Sequence, residues 1–193
     1  MREELADEQL MERYRDGDAA AFDVLYRRHK SGLYRYLLRL CRQPGVAEEL
    51  FQDVWGNLIR SRERYHASAR FSTYLYQIAH NRAVDHFRRK PELALVGMQF
   101  QDDDPDGDPP EAAIPADPAA DPEVMVSRKR LAERLLDEIA GLPAPQREAF
   151  LLREEAGLSL DEIAAATGVS AETAKSRLRY AVAKLREGLK GLI

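Results

Sequence analysis

Residues 157–189 read GLSLDEIAAATGVSAETAKSRLRYAVAKLREGL, and the fold turns on them. Ser159 followed three residues later by Glu162 has the pattern of a capping box, so a short helix starts there with Ile163 facing inward. Thr167-Gly168-Val169 is a tight turn in which Gly168 can take a positive φ. Ser170 then caps a longer helix, whose apolar stripe is Ala174, Leu178, Ala181 and Leu185. A short helix, a Gly-containing turn and a second helix make a helix-turn-helix. In that motif the second helix enters the major groove and its first turns face the base edges. Its solvent face here carries Glu172, Thr173, Lys175, Ser176, Arg177 and Arg179, and residues 169–193 hold six basic groups against two acidic ones. Arg and Lys pair with guanine or phosphate, Ser and Thr with either. The candidate duplex contacts are therefore Ser170, Thr173, Lys175, Ser176, Arg177 and Arg179. A helical hairpin with an ordinary solvated basic face is the competing reading.

Working outward, Leu131, Leu135, Leu136 and Ile139 form a stripe ended by Gly141 and Pro143, and Pro145 opens a helix through Phe150 and Leu151. The first ninety residues are helical as well. From Asp18, a candidate N-cap, apolar residues recur at Phe22, Leu25, Tyr26, Leu33, Tyr36, Leu37 and Leu40. Gln43-Pro44-Gly45 breaks that stripe. A second runs Val46, Leu50, Val54, Leu58. A third begins after Ser72 and Thr73, with Leu75, Ile78, Ala79 and Phe87, and stops before Pro91. No stretch alternates with period two for long enough to be a strand, so the fold class is all-α.

The chain has 193 residues, enough for one ordinary domain or two small ones. Its net charge of −4 hides a strong asymmetry. Residues 1–90 carry +4, residues 91–126 carry −10 with no basic group, and residues 127–193 carry +2. Seven of the ten prolines fall in the acidic block. That block has almost nothing to bury and repels itself, so it reads as a flexible acidic linker between two small helical domains, 1–90 and 127–193. As a random coil it spans ~33 Å, and fully stretched ~120 Å.

The lone Cys41 excludes an internal disulfide and a cysteine-built zinc site, and fits a reducing, cytoplasmic setting better than a secreted one. It reads as a small buried apolar residue. MREELADEQL has no apolar core behind its charges, so no secretory signal is expected, and no apolar run approaches the ~20 residues of a membrane helix. There is no Gly-rich phosphate loop, no HExxH and no nucleophile elbow. His29, His66, His80 and His86 lack ligand spacing. The expectation is a protein that is not an enzyme and has no cofactor, metal or small-molecule substrate.

Two further segments carry chemistry. Residues 70–90, RFSTYLYQIAHNRAVDHFRRK, interleave aromatics with basic and amide groups. Aromatic rings stack on unpaired bases and Arg tracks phosphates, so this is a single-strand-binding composition; a core helix with a basic last turn is the other reading. Glu48, Glu49, Gln52 and Asp53 share a helix with Trp55, which reads either as a protein-docking surface or as a solvated face over a core Trp.

Taken together these stretches resemble the extracytoplasmic-function (ECF) subgroup of bacterial RNA polymerase sigma factors. Residues 47–55, AEELFQDVW, look like the family's core-polymerase-binding helix. Phe71 to Leu75, Ile78 to Asn81, Asp85 and Arg88-Arg89 look like its promoter-melting, −10 segment. Leu142-Pro143 with Arg147 and Phe150, then Gly157 to Ser159, Glu162 to Ala164 and Lys175 to Leu178 look like its −35-reading region. The resemblance implies sigma domain 2 followed by a helix-turn-helix sigma domain 4. It implies core polymerase as partner, through the largest-subunit coiled coil and the flap of the second-largest subunit, together with promoter DNA and an anti-sigma factor. Carried onto this chain, it makes Glu48, Glu49, Gln52 and Asp53 the polymerase contacts, and Phe71, Tyr74, Asn81, Arg82, Asp85, Arg88 and Arg89 the −10 contacts. Two positions depart from the family: Tyr74 stands where Trp is frequent, and Ala174 where a larger aliphatic residue is common. By likeness to relatives' linkers, the acidic block threads the polymerase's RNA channel; a solubilising spacer is the alternative. The competing function is a free-standing helix-turn-helix regulator, which residues 127–193 alone permit and residues 1–90 do not require.

Overall fold

The structure is a computed structural model that describes residues 4–89 and 122–190. Among the described residues it is all helix and loop, with no strand. The expected linker lies mostly outside them. Its last five residues do not: they open a helix at Pro122.

Among the described residues the N-terminal unit has four α-helices, α1 (Asp7–Arg15), α2 (Ala19–Cys41), α3 (Pro44–Ser61) and α4 (Phe71–Arg89), with a 3-10 turn at Arg62–Arg64. The stripe on α2 is realised as read, with Leu25, Leu33, Tyr36, Leu37 and Leu40 wholly buried. Asp18 takes the N-cap position but makes no side-chain cap bond. The break after Cys41 has a local cause. Arg42 turns left-handed at φ 61°, its N–H held by the Leu38 carbonyl at 2.8 Å. Pro44 then opens α3, where its fixed φ suits the first turn and its missing N–H costs nothing. Trp55, 5% exposed, packs edge-on to Phe22 at 5.7 Å and lies 5.0 Å from Tyr26, tying α3 to α2.

Two features of this unit differ from the sequence reading. The helix α1, which buries Leu10 and Met11, is additional to the stripes expected from the sequence. And α4 starts at Phe71, ahead of Ser72 and Thr73, because the Phe71 N–H donates to the Glu8 carboxylate of α1 at 2.7 Å. The cap comes from a remote helix, not from the neighbouring hydroxyls.

The C-terminal unit comprises α5 (Pro122–Gly141), α6 (Ala144–Ala156), α7 (Leu160–Thr167) and α8 (Ala171–Gly188). The predicted capping box is present. Ser159 Oγ accepts from the Glu162 N–H at 3.3 Å, and Glu162 Oε2 accepts from the Ser159 N–H at 2.8 Å. Gly168 takes φ 70° in the turn. Ser170 Oγ then accepts from the Thr173 N–H at 3.0 Å and starts α8. Ala174, Ala181 and Leu185 are buried beneath α8 and Leu178 partly so. Leu136 corrects its stripe: it is 45% exposed, because Leu135 and Ile139, one turn apart, already take the inward face of α5.

The two units pack directly on each other, α2 along α6 and α4 along α7. Two adjacent charged residues of α6 lie at the centre of this seam. Arg147, 2% exposed, donates to the Leu40 carbonyl at 3.0 Å, the Ala140 carbonyl at 3.1 Å and the Leu142 carbonyl at 2.8 Å. It thus finishes the C-terminal end of α2 and the α5–α6 turn together. Burial pushes its guanidinium down to about 10, which leaves it cationic at neutral pH. Glu148, 1% exposed, accepts from Tyr36 Oη at 2.8 Å and pairs with His80 Nδ1 at 2.8 Å. Outside this centre, Glu155 binds Arg35 at 2.8 Å and also Arg39, and Arg70 lies 3.7 Å from Glu162.

Replacing Arg147 by Met should leave two buried carbonyls and one part-buried carbonyl without their donor, at roughly 1–3 kcal/mol for each buried one before relaxation. We expect a loss of about 3 kcal/mol, read in urea unfolding, and a melting temperature lower by roughly 6–12 °C.

The seam also has a definite pH sense. Burial lowers the pKa of His80 and Arg177 adds to that, but the Glu148 carboxylate outweighs both, and the net shift is upward from 6.5. The stabilisation from charged His80 is then complete below 6.5 and lost as pH rises through the raised value. Urea midpoints measured from about pH 6 to pH 9 should fall more steeply in the wild type than in His80→Gln.

Candidate nucleic-acid and polymerase interfaces

The reading helix α8 begins at the Ser170 cap, so its first turns are set by a local hydrogen bond and its height over α7 by Gly168. Lys175 is exposed on it, and Ser176, Arg177 and Arg179 are half-buried. The hydroxyls are already engaged. Ser170 Oγ lies 2.9 Å from Thr173 Oγ1, and Ser176 Oγ donates to the Thr173 carbonyl at 3.1 Å. Ser170, Thr173 and Ser176 therefore shape the helix start, and the cations Lys175, Arg177 and Arg179 carry its charge. Arg179 leans over the Tyr180 ring at 5.3 Å.

Along α4 the candidate residues divide by exposure. Asn81, Arg88 and Arg89 are exposed. Asp85 accepts from Arg82 at 3.0 Å and from Arg88 at 3.1 Å, so one carboxylate holds two guanidinium groups on the same surface. Tyr74 is half-buried; its hydroxyl is 2.8 Å from Ser61 Oγ and its ring 5.2 Å from that of Tyr65. Phe71 departs from its expected place on this surface. It is wholly buried and its ring packs 5.1 Å from the His29 ring, so its side chain faces the core rather than a strand. The α1 cap on its N–H fixes that orientation.

On α3, Glu48, Glu49, Gln52 and Asp53 are all exposed, while Leu50, Val54 and Trp55 point inward. The reading of a solvated face over a core Trp is what the helix shows: Trp55 is buried and the acidic row is exposed. A cleft of about 610 Å³ runs between α2 and α3, lined by Tyr26, Lys30, Tyr34, Glu48, Phe51 and Gln52. Glu49 reaches to 3.8 Å from His86 of α4, which joins the acidic face to the basic one.

Sequence reasoning missed Tyr36, His80 and Glu148 as a group. Periodicity counts Tyr36 as one more stripe residue and gives Glu148 no distinct place. The available signal was Arg147-Glu148 inside the apolar stretch of α6, two charges where burial was due. Among the described residues no cluster of His, Cys, Asp and Glu has the arrangement to hold a metal ion, and no helix is long and apolar enough to cross a membrane. Cys41 is buried, and burial pushes its thiol up to about 12.

Comparison with known proteins agrees with this layout. Residues 25–91 match Sigma-70 region 2, and residues 132–185 match Sigma-70, region 4. The chain is 35% identical to the RNA polymerase sigma factor CarQ of Myxococcus xanthus, over 92% of this chain and 94% of that protein. It is 30% identical to the ECF RNA polymerase sigma factor SigK of a Mycobacterium species (strain KMS), over 93% and 89%. In fold it is similar to the sigma factor RpoE of Bartonella quintana, solved in complex with the anti-sigma factor NepR, with TM-score 0.64, 22% identity, and 88% and 97% of the two chains covered. With both halves of that architecture present in order, the chain belongs to the extracytoplasmic-function group of RNA polymerase sigma factors.

Proposed function

We propose that this protein confers promoter specificity on core RNA polymerase through three separate surfaces, and that it has no catalytic activity of its own. The observation that carries the reading is the combination of a capped, cation-bearing α8 in a region 4 segment with an exposed acidic row in a region 2 segment. A free-standing regulator needs the first and has no use for the second.

The acidic row Glu48, Glu49, Gln52 and Asp53 docks on the largest-subunit coiled coil. Its charge steers the encounter and its neighbouring cleft, lined by Phe51 and Tyr34, takes an apolar side chain. Region 4 rests on the flap of the second-largest subunit. Lys175, Arg177 and Arg179 read the −35 duplex, with Ser170, Thr173 and Ser176 placing the helix. Asn81, Arg82, Arg88 and Arg89 hold the unpaired strand at the −10 element, and Asp85 orients Arg82 and Arg88 for it. Tyr74 stacks on a base once its bond to Ser61 is released. Phe71 supports this surface from below. The setting is the cytoplasm, and regulation by an anti-sigma factor fits the fold neighbour solved with one. The acidic segment 91–121 enters the polymerase channel that later holds RNA.

Run-off transcription with bacterial core polymerase, with and without the protein, on pooled promoter fragments from the encoding genome tests the whole reading. Discrete new transcripts are expected. Lys175→Ala with Arg177→Ala should cut their yield at least ~10-fold, each lost contact being worth roughly 1–3 kcal/mol. Silence on every fragment, with tight duplex binding by the protein alone, would replace this reading by the free-standing regulator. Reversing the acidic row (Glu49→Lys with Asp53→Lys) should weaken core binding about ten-fold or more in a pull-down titration, mainly through the association rate.

A further inference from the structure

The helix α1 lies ahead of residues 25–91, the stretch that matches Sigma-70 region 2, and none of the three proposed surfaces uses it. It is nonetheless held firmly. Leu10 and Met11 are wholly buried. Asp7 accepts from Arg28 of α2 at 2.5 Å and lies 2.7 Å from His29 Nε2, and Arg28 also donates to the Leu5 carbonyl at 2.9 Å. These contacts make α1 a fixed attachment on α2.

From that base α1 grips the connection between α3 and α4 at both ends. Glu8 and Arg15 are seven residues apart, two turns along one face of the helix. Arg15 Nη1 donates to the Tyr65 carbonyl at 3.3 Å, near the start of the connection. Glu8 Oε1 accepts from the Phe71 N–H at 2.7 Å, where the connection ends and α4 begins. Residues 66–70, between the two grips, are exposed. A serine or aspartate at the N-cap would have started α4 locally, as Ser159 and Ser170 start α7 and α8. A remote carboxylate does something a local cap does not: it ties the first turn of α4 to α1.

Both grips lead to Tyr74. Its N–H donates to the Arg70 carbonyl at 3.2 Å, in the turn that Glu8 caps. Its ring lies 5.2 Å from the ring of Tyr65, the residue whose carbonyl Arg15 holds. Ser61 Oγ donates its one proton to the Asn57 carbonyl at 2.8 Å, so Tyr74 Oη is the donor in its 2.8 Å bond to Ser61. The backbone of Tyr74 is thus set from α1, while its ring rests against Tyr65 and Ser61 and can turn toward a base.

We propose that Glu8 and Arg15 are positioning residues for strand capture: from α1 they hold the α3–α4 connection at Tyr65 and Phe71, and so fix the place from which Tyr74 stacks on an unpaired base. The proposal rests on the role given to Tyr74 above.

The test uses holoenzyme assembled from core polymerase and the full chain. Its ligand is a labelled single-stranded oligonucleotide carrying the non-template −10 sequence of a promoter found by run-off, and fluorescence anisotropy reads the affinity. Tyr74→Ala should weaken binding about 5–100-fold, the range of one lost base stack. Glu8→Ala and Arg15→Met should each weaken it about 3–10-fold, within the range that a lost helix cap corresponds to. Glu8→Gln keeps an acceptor for the Phe71 N–H and should bind as the wild type does. In the Tyr74→Ala background, Glu8→Ala and Arg15→Met should cost nothing further, because they act through that ring. If Glu8→Ala loses helical circular dichroism, Arg15→Met decides alone, since it leaves the α4 cap in place. Equal losses with and without the Tyr74 ring, or Glu8→Gln as weak as Glu8→Ala, would overturn the positioning role. Full binding by Glu8→Ala and Arg15→Met, with Tyr74→Ala impaired, would overturn it too and leave the role of Tyr74 standing. Full binding by Tyr74→Ala would remove the role of Tyr74, and the positioning role with it.

Discussion

Two consecutive buried charges, Arg147 and Glu148, impose the constraint on which the arrangement depends. Removing either from water is unfavourable unless its hydrogen-bonding capacity is met. Arg147 can meet its own only where several carbonyls converge, and such convergence exists where helices end. The left-handed Arg42 exposes the Leu40 carbonyl at the end of α2, and the α5–α6 turn supplies those of Ala140 and Leu142. Glu148, the next residue along α6, requires donors, which Tyr36 and His80 provide. One residue pair thereby joins the end of α2 to the α5–α6 turn and sets which face of α6 meets the N-terminal unit.

The candidate surfaces inherit their positions from that scaffold. Packing α6 on α2 brings α7 over α4, and the short turn at Gly168 then sets α8 relative to both. Trp55 locks α3 to α2, and the acidic row on the outer side of α3 is left exposed. The acidic row on α3 borders α4 directly, where Glu49 lies 3.8 Å from His86.

Much of the fold was legible because it is made by short-range chemistry. The capping box at Ser159 and Glu162, the glycine turn and the Ser170 cap are hydrogen bonds between residues three apart, and they form as read. The inward stripes of α2, α3 and α8 follow from helical periodicity alone. The misreadings have one remote cause and one local cause. Glu8 moves the start of α4 and turns Phe71 into the core, and a neighbouring pair on α5 leaves Leu136 to solvent.

The sequence by itself determined the helical class, the division into two units around an acidic block, the helix-turn-helix, and the surfaces to test on α3, α4 and α8. Local hydrogen bonding, apolar spacing and charge distribution require nothing beyond neighbouring residues. Tertiary structure alone decided that the two units share a buried polar seam and which charges lie inside it. Whether Arg147 and Glu148 are solvated or buried depends on which carbonyls and donors reach them from more than a hundred residues away, and no local pattern encodes that meeting.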